Sequence, residues 1–156
     1  MDPLGKILPV EIDKPEGSVV LALPFPPSVN HCYGHAAFSI VYATKKMKDY
    51  KQEVLAIVSQ ARAQKQMPRA VINQPIMVTS FFYPPDRRRR DIDNYFKVLL
   101  DALTNAGVWK DDKLIFHKNS WWMGFTTKGN ASVKLVISWG TQQWADSVRD
   151  VAIGNL

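Results

Sequence analysis

Residues 75–107 constrain the fold more than any other stretch of this chain. Pro75–Tyr83 reads P-I-M-V-T-S-F-F-Y, a run of β-branched and aromatic residues that predicts a strand. Pro84-Pro85-Asp86 ends it. Four arginines, Arg87-Arg88-Arg89-Arg90, then run straight into Asp91-Ile92-Asp93. A helix is predicted from about Ile92 to Ala106, with Ile92, Phe96, Leu99, Leu100 and Leu103 as its apolar stripe. Asn105-Ala106-Gly107 supplies the stop, Gly107 being a natural residue for the left-handed position past a helix end.

Around this unit the remaining elements fall into order. Ser18–Leu23 predicts a first strand, stopped by Pro24, Pro26 and Pro27, and the stretch to about Tyr42 reads as a long irregular loop. Thr44 caps a predicted helix to about Gln66, in which Met47, Tyr50, Val54, Ile57, Val58 and Ala61 form one apolar face. Lys113–Trp122 and Ala131–Trp139 predict two strands, and the turn residues between them suggest a hairpin. Trp144, Val148 and Val151 at helical spacing predict a short C-terminal helix, either a dimer contact or packed on its own core. The expected class is α/β (α+β): a single domain with a mixed sheet, elements in the order β-α-β-α-β-β, helices packed on the sheet and a tail helix. The division expected is a loose arm over 1–17, a core domain over 18–140 and a tail over 141–156.

Composition narrows the class of function. A chain of 156 residues suits one domain, and a net charge of +6 with a pI near 9.5 favours an acidic partner, nucleic acid before anionic membrane. Cys32 is the only cysteine, which rules out an internal disulfide and fits a reducing cytosol. No apolar run is long enough for a membrane span, and no secretory signal is evident at the N-terminus. A phosphate-binding glycine loop, a nucleophile elbow and a Cys–His nucleophile pair are all absent, and His31, His35 and His117 do not form a zinc spacing with Cys32.

The acidic residues are unevenly spread. Of 14, six lie between Asp86 and Asp112: Asp86, Asp91, Asp93, Asp101, Asp111 and Asp112. Arginines suit a polyanion and hard carboxylates suit a divalent cation; a metal-assisted cut in a phosphodiester needs both. Asp91 and Asp93, two apart at the entry to a helix, point the same way if the chain is extended there. The competing reading is that they cap the helix and favour its dipole, as Asp111-Asp112 would form a turn. A helix from Ile92 to Ala106 is about 22 Å long, so the second pair meets the first only if the chain runs back. Lys97 lies one turn past Asp93, as a surface pair with Asp93 or Asp101 or as a contact to a scissile phosphate. Tyr33, Phe38 and Trp109 are able to stack on bases, although core packing is the expectation for Phe38 and Trp109. Trp121, Trp122, Trp139 and Trp144 read as core or interface residues.

At these positions the chain resembles the RusA family of Holliday-junction resolvases. The residues are Arg87–Arg90 with Asp91-Ile92-Asp93-Asn94, Lys97, Asp101-Ala102-Leu103-Thr104, Ala106-Gly107, Trp109 and Asp111-Asp112. Leu23-Pro24-Phe25-Pro26-Pro27-Ser28 with Asn30 and Tyr33 is a second match, and the resemblance covers roughly Val20 to Ser138. It implies a homodimeric, magnesium-dependent endonuclease (manganese substituting) that recognises four-way DNA junctions by shape and cuts two strands of like polarity symmetrically. The family preference for cutting 5′ of a CC dinucleotide is implied as well. It also implies that Asp91, Asp93 and Asp112 are the catalytic, metal-holding aspartates, with Asp111 of lesser weight and the far aspartate returning to the first pair. Lys97 is implied to be catalytic. Arg87, Arg88, Arg89, Arg90, Lys97, Asn30 and Tyr33 are the expected DNA contacts. The setting implied is the cytoplasm of a bacterial cell or a phage-infected host, with a phage or prophage origin. A non-catalytic basic DNA-binding protein and a nuclease of flaps or branched DNA remain the alternatives.

Overall fold

The structure, a computed structural model, describes residues 12–154. Its frame is a sheet of four strands in the order β1-β6-β4-β5: β1 (Gly17–Pro24), β4 (Ile76–Tyr83), β5 (Ile115–Trp122) and β6 (Ser132–Trp139). β6 runs antiparallel to both β1 and β4, while β4 and β5 are parallel, so the sheet is mixed as the sequence predicts. Two helices lie against it, α1 (Lys45–Ala63) and α2 (Ile92–Asn105), and α3 (Gln142–Gly154) closes the described chain.

The hairpin expected between β5 and β6 does not form. A parallel β4–β5 pair needs a crossover, and α2 supplies it, carrying β5 to the outer side of β4. The chain then crosses the end of β4, tied there by Met123 N–H donating to the Phe82 carbonyl (2.8 Å) and Thr126 N–H to the Pro84 carbonyl (2.8 Å), before β6 inserts between β1 and β4. The stretch from Pro24 to Tyr42 is likewise less irregular than expected. It holds a small antiparallel ribbon of β2 (Tyr33–His35) and β3 (Val41–Ala43), preceded by a 3₁₀ turn over Val29–His31.

The core lies between the sheet and the two helices. Alternate residues of the strands face inward: Val19, Leu21 and Leu23; Ile76, Val78 and Phe82; Val133, Leu135 and Ile137. They meet Met47, Tyr50, Val54, Val58 and Ala61 of α1 and Phe96, Leu99 and Leu103 of α2, close to the predicted stripes, although Ile57, Ile92 and Leu100 are only half-buried. Val98 and Ala102, off the predicted stripe, are also buried. The reason is that α2 touches α1 and the Val29–His31 turn as well as β5, so two of its sides are covered. Both helix starts are capped as their sequences suggest, Thr44 Oγ1 accepting from the Met47 N–H (3.4 Å) and Asp91 Oδ1 from the Asp93 N–H (3.1 Å). At the other end Gly107 takes φ +68°, the left-handed position past the helix. The Arg62 guanidinium donates to the carbonyls of Ala106 and Gly107 (3.4 and 2.6 Å), binding the end of α1 to the end of α2.

Phe38 is expected in the core and is instead 97 % exposed, at φ +62° in the turn between β2 and β3. Trp109, by contrast, is buried, with its indole N–H donating to Thr104 Oγ1 (2.8 Å). Trp139 and Trp144 are buried too, whereas Trp121 and Trp122 are exposed at the end of β5. α3 packs on its own chain: Trp144 meets Phe116 edge-on (centroids 5.3 Å), and Val148 and Val151 are half-buried. The loose arm proposed for residues 1–17 lies, for residues 1–11, outside the described residues. The Asp13 N–H donates to Ser147 Oγ (3.2 Å) and Glu16 N–H to the Trp139 carbonyl (2.9 Å), so the end of that stretch is held to the fold. Among the described residues no helix is long and apolar enough to cross a membrane.

Candidate active site at the arginine turn and the start of α2

Strand direction determines which charged groups can meet. β4 and β5 run the same way, paired from Ile76↔Ile115 to Phe82↔Trp122 with a one-residue shift after Ile76, so α2 must run back between them. Asp91, its N-cap, therefore sits beside the C-terminal ends of both strands, where the arginine turn also lies. Asp93 is already inside the first turn of the helix, so the two carboxylates do not share an extended stretch as the spacing suggests. Asp91 turns its side chain onto the Asp93 N–H, which brings its carboxylate to the first turn of α2, the turn that carries Asp93. Both residues are exposed. That single accepted hydrogen bond leaves most of the lone pairs of the two carboxylates free, a hard-oxygen donor set that fits a magnesium ion completed by water and phosphate. Lys97 is exposed and has no ion-pair partner among the described residues. Asp101, the other candidate for it, instead accepts a hydrogen bond from the Tyr33 hydroxyl (3.1 Å).

The four arginines are not one solvated patch. Asp86 organises the turn. Arg90 is 8 % exposed in its side chain, places Nη2 on Asp86 Oδ1 (2.7 Å) and donates from Nη1 to the carbonyls of Asp86 and Arg88 (3.1 and 3.0 Å). Arg88 donates to the same carboxylate from Nε (3.0 Å) and from its backbone N–H (2.9 Å). These bonds, led by the Arg88 side chain, hold the Asp86 carboxyl well below the usual carboxylate range. Arg87 lies over the Phe125 ring, 4.4 Å from its centroid. Only Arg89 makes no ion pair, hydrogen bond or ring contact among the described residues, and it is exposed. In the sequence the four look alike and Asp86 has no evident role; the i, i+4 spacing of Asp86 and Arg90 is the signal available for it. Arg90→Ala is therefore expected to lower the melting temperature, whereas Arg89→Ala should leave stability within about 0.5 kcal/mol. In DNA-binding titrations Arg89→Ala should reduce the salt slope of log K by about 0.9 for the one phosphate lost. The reverse pattern in thermal melts would remove the strut assignment.

The second motif builds the floor beneath this turn. Phe25, from Leu23-Pro24-Phe25-Pro26-Pro27-Ser28, lies 5.2 Å from Tyr95 of α2, 6.1 Å from Phe82 and 6.4 Å from Trp122, ring centroid to ring centroid. Together these rings fix the start of α2 against the ends of β4 and β5. Phe25, His31 and Lys46 line a groove on the far side of the arginine turn, with Arg88, Arg89 and Arg90 along it. Asn30 is exposed on the adjacent 3₁₀ turn. Tyr33 is half-buried and tied to Asp101; burial first, then that carboxylate, pushes its hydroxyl pKa up, so it remains a donor at neutral pH.

Asp111 and Asp112 lie elsewhere. After Gly107 the chain pairs with Ile72, below the start of β4, through Ile72 N–H to the Val108 carbonyl (3.0 Å) and Lys110 N–H to the Ile72 carbonyl (3.0 Å). This is the C-terminal end of α2, and the 14 residues of that helix span about 21 Å. Within one chain the far aspartates do not return to the first pair, and no group of three acidic, His or Cys side chains suited to a metal forms among the described residues. Asp111 spends an oxygen on its own turn, accepting from the Lys113 N–H (2.9 Å). That bond holds its carboxyl below the usual range. Asp112 is exposed and no side-chain bond caps a turn through it.

Most of the chain matches the model of a nuclease family. The model of that family, endodeoxyribonuclease RusA, matches residues 24–151, and this chain belongs to it. The match includes most of α3 and so reaches further than the motifs alone, which run to about Ser138. Relatives include the crossover junction endodeoxyribonuclease RusA of Escherichia coli strain K12, 36% identical over 92 residues, which are 59% of this chain and 72% of the relative. The protein of the same name from Shigella sonnei strain Ss046 matches to the same extent. That of Enterobacteria phage 82 is 35% identical over 92 residues, with the same 59% and 72% covered.

Proposed function

We propose that this protein is a magnesium-dependent endonuclease that resolves four-way DNA junctions, acting as a homodimer in the cytoplasm of a bacterial cell or phage-infected host. The observation that carries the reading is the placement, on one end of the sheet, of two exposed carboxylates, a lysine one helical turn away that has no ion-pair partner among the described residues, and a pre-shaped cationic turn. Asp91 and Asp93 would hold the metal, with manganese able to replace magnesium, since both prefer oxygen donors. When bound, the ion supplies Lewis-acid polarisation of the phosphoryl group and an activated water at neutral pH. Arg89 and Arg88 grip the DNA backbone, and Lys97 offsets the negative charge that builds on the phosphoryl oxygens during displacement. Asn30, exposed on the Val29–His31 turn, and Tyr33, bound to Asp101 of α2, would add further DNA contacts.

The distance between the two acidic pairs supports a dimeric site. Metal ions that share a phosphate lie about 4 Å apart, far less than the length of α2. Asp112 would therefore complete the centre on a second copy, its own Asp91 and Asp93 being completed in return, as a two-fold axis requires. Two such centres facing a substrate of matching symmetry would make paired cuts in strands of like polarity.

An end-labelled four-way junction, a flap and a linear duplex of shared sequence, each incubated with magnesium or with EDTA, test the reading. Paired nicks in the junction alone, abolished by EDTA, are the expected result. Tight binding without any cutting would indicate a non-catalytic DNA-binding protein, and equal cutting of flap and junction a general branched-DNA nuclease.

A further inference from the structure

A second groove opens on the other side of the arginine turn, with a volume of about 410 Å³, inside the range of roughly 300–1,000 Å³ usual for sites that take small ligands. Its two walls differ in chemistry. One is the turn itself, Asp86 to Arg90; the other is the chain leaving β5, Trp122-Met123-Gly124-Phe125. Three large apolar side chains flank Gly124 and stay in solvent: Trp122 and Met123 are each 38 % exposed and Phe125 50 %, even with Arg87 over its ring. Apolar side chains exposed side by side along a groove are the usual lining of a ligand site.

Both walls are held in place without a ligand. Backbone bonds fix the aromatic wall to β4 at Phe82 and to Pro84 just beyond it, and the Asp86–Arg90 network fixes the cationic one. Trp122 also meets Tyr95 of α2 at 6.0 Å, which ties the groove to the helix that begins at Asp91. The occupant must match an aromatic, thioether and glycine floor together with a rim of arginines. A free phosphate has no use for the floor, and an apolar peptide has none for the rim. A nucleotide presents both a flat π face and a phosphate.

We propose that this groove is a base-stacking subsite that takes one unpaired nucleobase of the DNA branch point, with Phe125 and Trp122 against the base and Arg87 and Arg89 on its phosphates. The proposal rests on the junction-binding reading above and deepens it. Bases at a branch point are already the least well stacked in the molecule, so turning one out costs less there than in continuous duplex. The aromatic contact is indifferent to base identity, because every base has a π face. It therefore contributes selection for branched over linear DNA.

The test measures binding, without magnesium, to a set of four-way junctions that each carry one abasic residue within three nucleotides of the branch point. Wild-type protein is expected to bind one abasic position about tenfold more weakly than the intact junction, the loss of one stacked base. Phe125→Ala should bind the intact junction about tenfold more weakly and show no further loss at that position. Gly124→Leu should behave the same way; a Cβ there meets nothing within 4 Å, so the substitution is accommodated by the fold while adding bulk to a residue that lines the groove. Wild-type affinity in both variants, or an undiminished abasic penalty in either, overturns the subsite. If the abasic penalty is present but magnesium-dependent cutting is not, the proposed nuclease fails and the subsite survives. Normal cutting with no penalty at any position overturns the subsite and leaves the nuclease standing.

Discussion

Asp91→Asn is expected to reduce junction cleavage by about a thousandfold or more while leaving junction affinity within about twofold, equivalent to roughly 4 kcal/mol taken from the chemical step alone. The two roles of Asp91 make this substitution informative. Its Oδ1 caps α2 by accepting from the Asp93 N–H, and asparagine caps helices as well as aspartate does. The helix start, the adjacent arginine turn and the Phe25–Tyr95–Trp122 cluster should therefore be kept. What is lost is a negative charge and a hard ligand. Losing that charge beside a polyanion does not weaken binding and tightens it slightly at low salt. The readouts are single-turnover cleavage with magnesium and gel-shift titration without it. Undiminished magnesium-dependent cutting by Asp91→Asn would remove the metal assignment and leave the residue as a cap only.

The same position shows how far the sequence was legible. Helix existence, its N-cap, its glycine stop and its buried stripe follow from local chemistry, and α2 obeys them closely: Asp91, Gly107, Phe96, Leu99 and Leu103 are where the pattern puts them. Strand pairing does not follow from local chemistry. The residues Gly124 and Thr126–Asn130 have turn character whether the strands they join are neighbours or flank a third, and here β4 lies between. The burial of Val98 and Ala102 depends on α1 and the Val29–His31 turn lying beside α2, a tertiary arrangement that a periodicity count does not carry.

Charges were harder to read than hydrophobicity. Four consecutive arginines look equivalent in one dimension, yet Arg90 faces inward onto Asp86, Arg88 shares that carboxylate, Arg87 covers Phe125 and Arg89 is left for solvent. A turn that carries four guanidinium groups needs one of them to hold its shape. In the same way Asp91 and Asp111 resemble each other, each accepting from the backbone N–H two residues on, although only the first lies beside the arginines. A short D-x-D or D-D motif is legible as chemistry but does not state which end of the fold it occupies. Strand direction decides that, and the parallel β4–β5 pair sends Asp112 to the opposite end of α2.

That separation leads to the second large effect, in mixtures rather than single variants. Asp91→Asn and Asp112→Asn homodimers should each be inactive, because every site lacks one ligand. Asp112 is exposed and Asp111, not Asp112, caps its turn, so the second substitution should leave the fold intact as well. If each centre takes Asp91 and Asp93 from one copy and Asp112 from the other, a mixed dimer holds one site with both substitutions and one with neither. Random reassortment at equal concentrations then restores about a quarter of the wild-type sites, since about half the dimers are mixed and each has one intact site. The product also changes: a mixed dimer nicks one strand of the junction per binding event, where the wild type cuts two. Mixing after brief mild denaturation and refolding, followed by separation of nicked from resolved junction on a native gel, measures both. Should all three aspartates belong to one chain, every site in every mixed dimer carries a substitution, and no activity returns at any ratio.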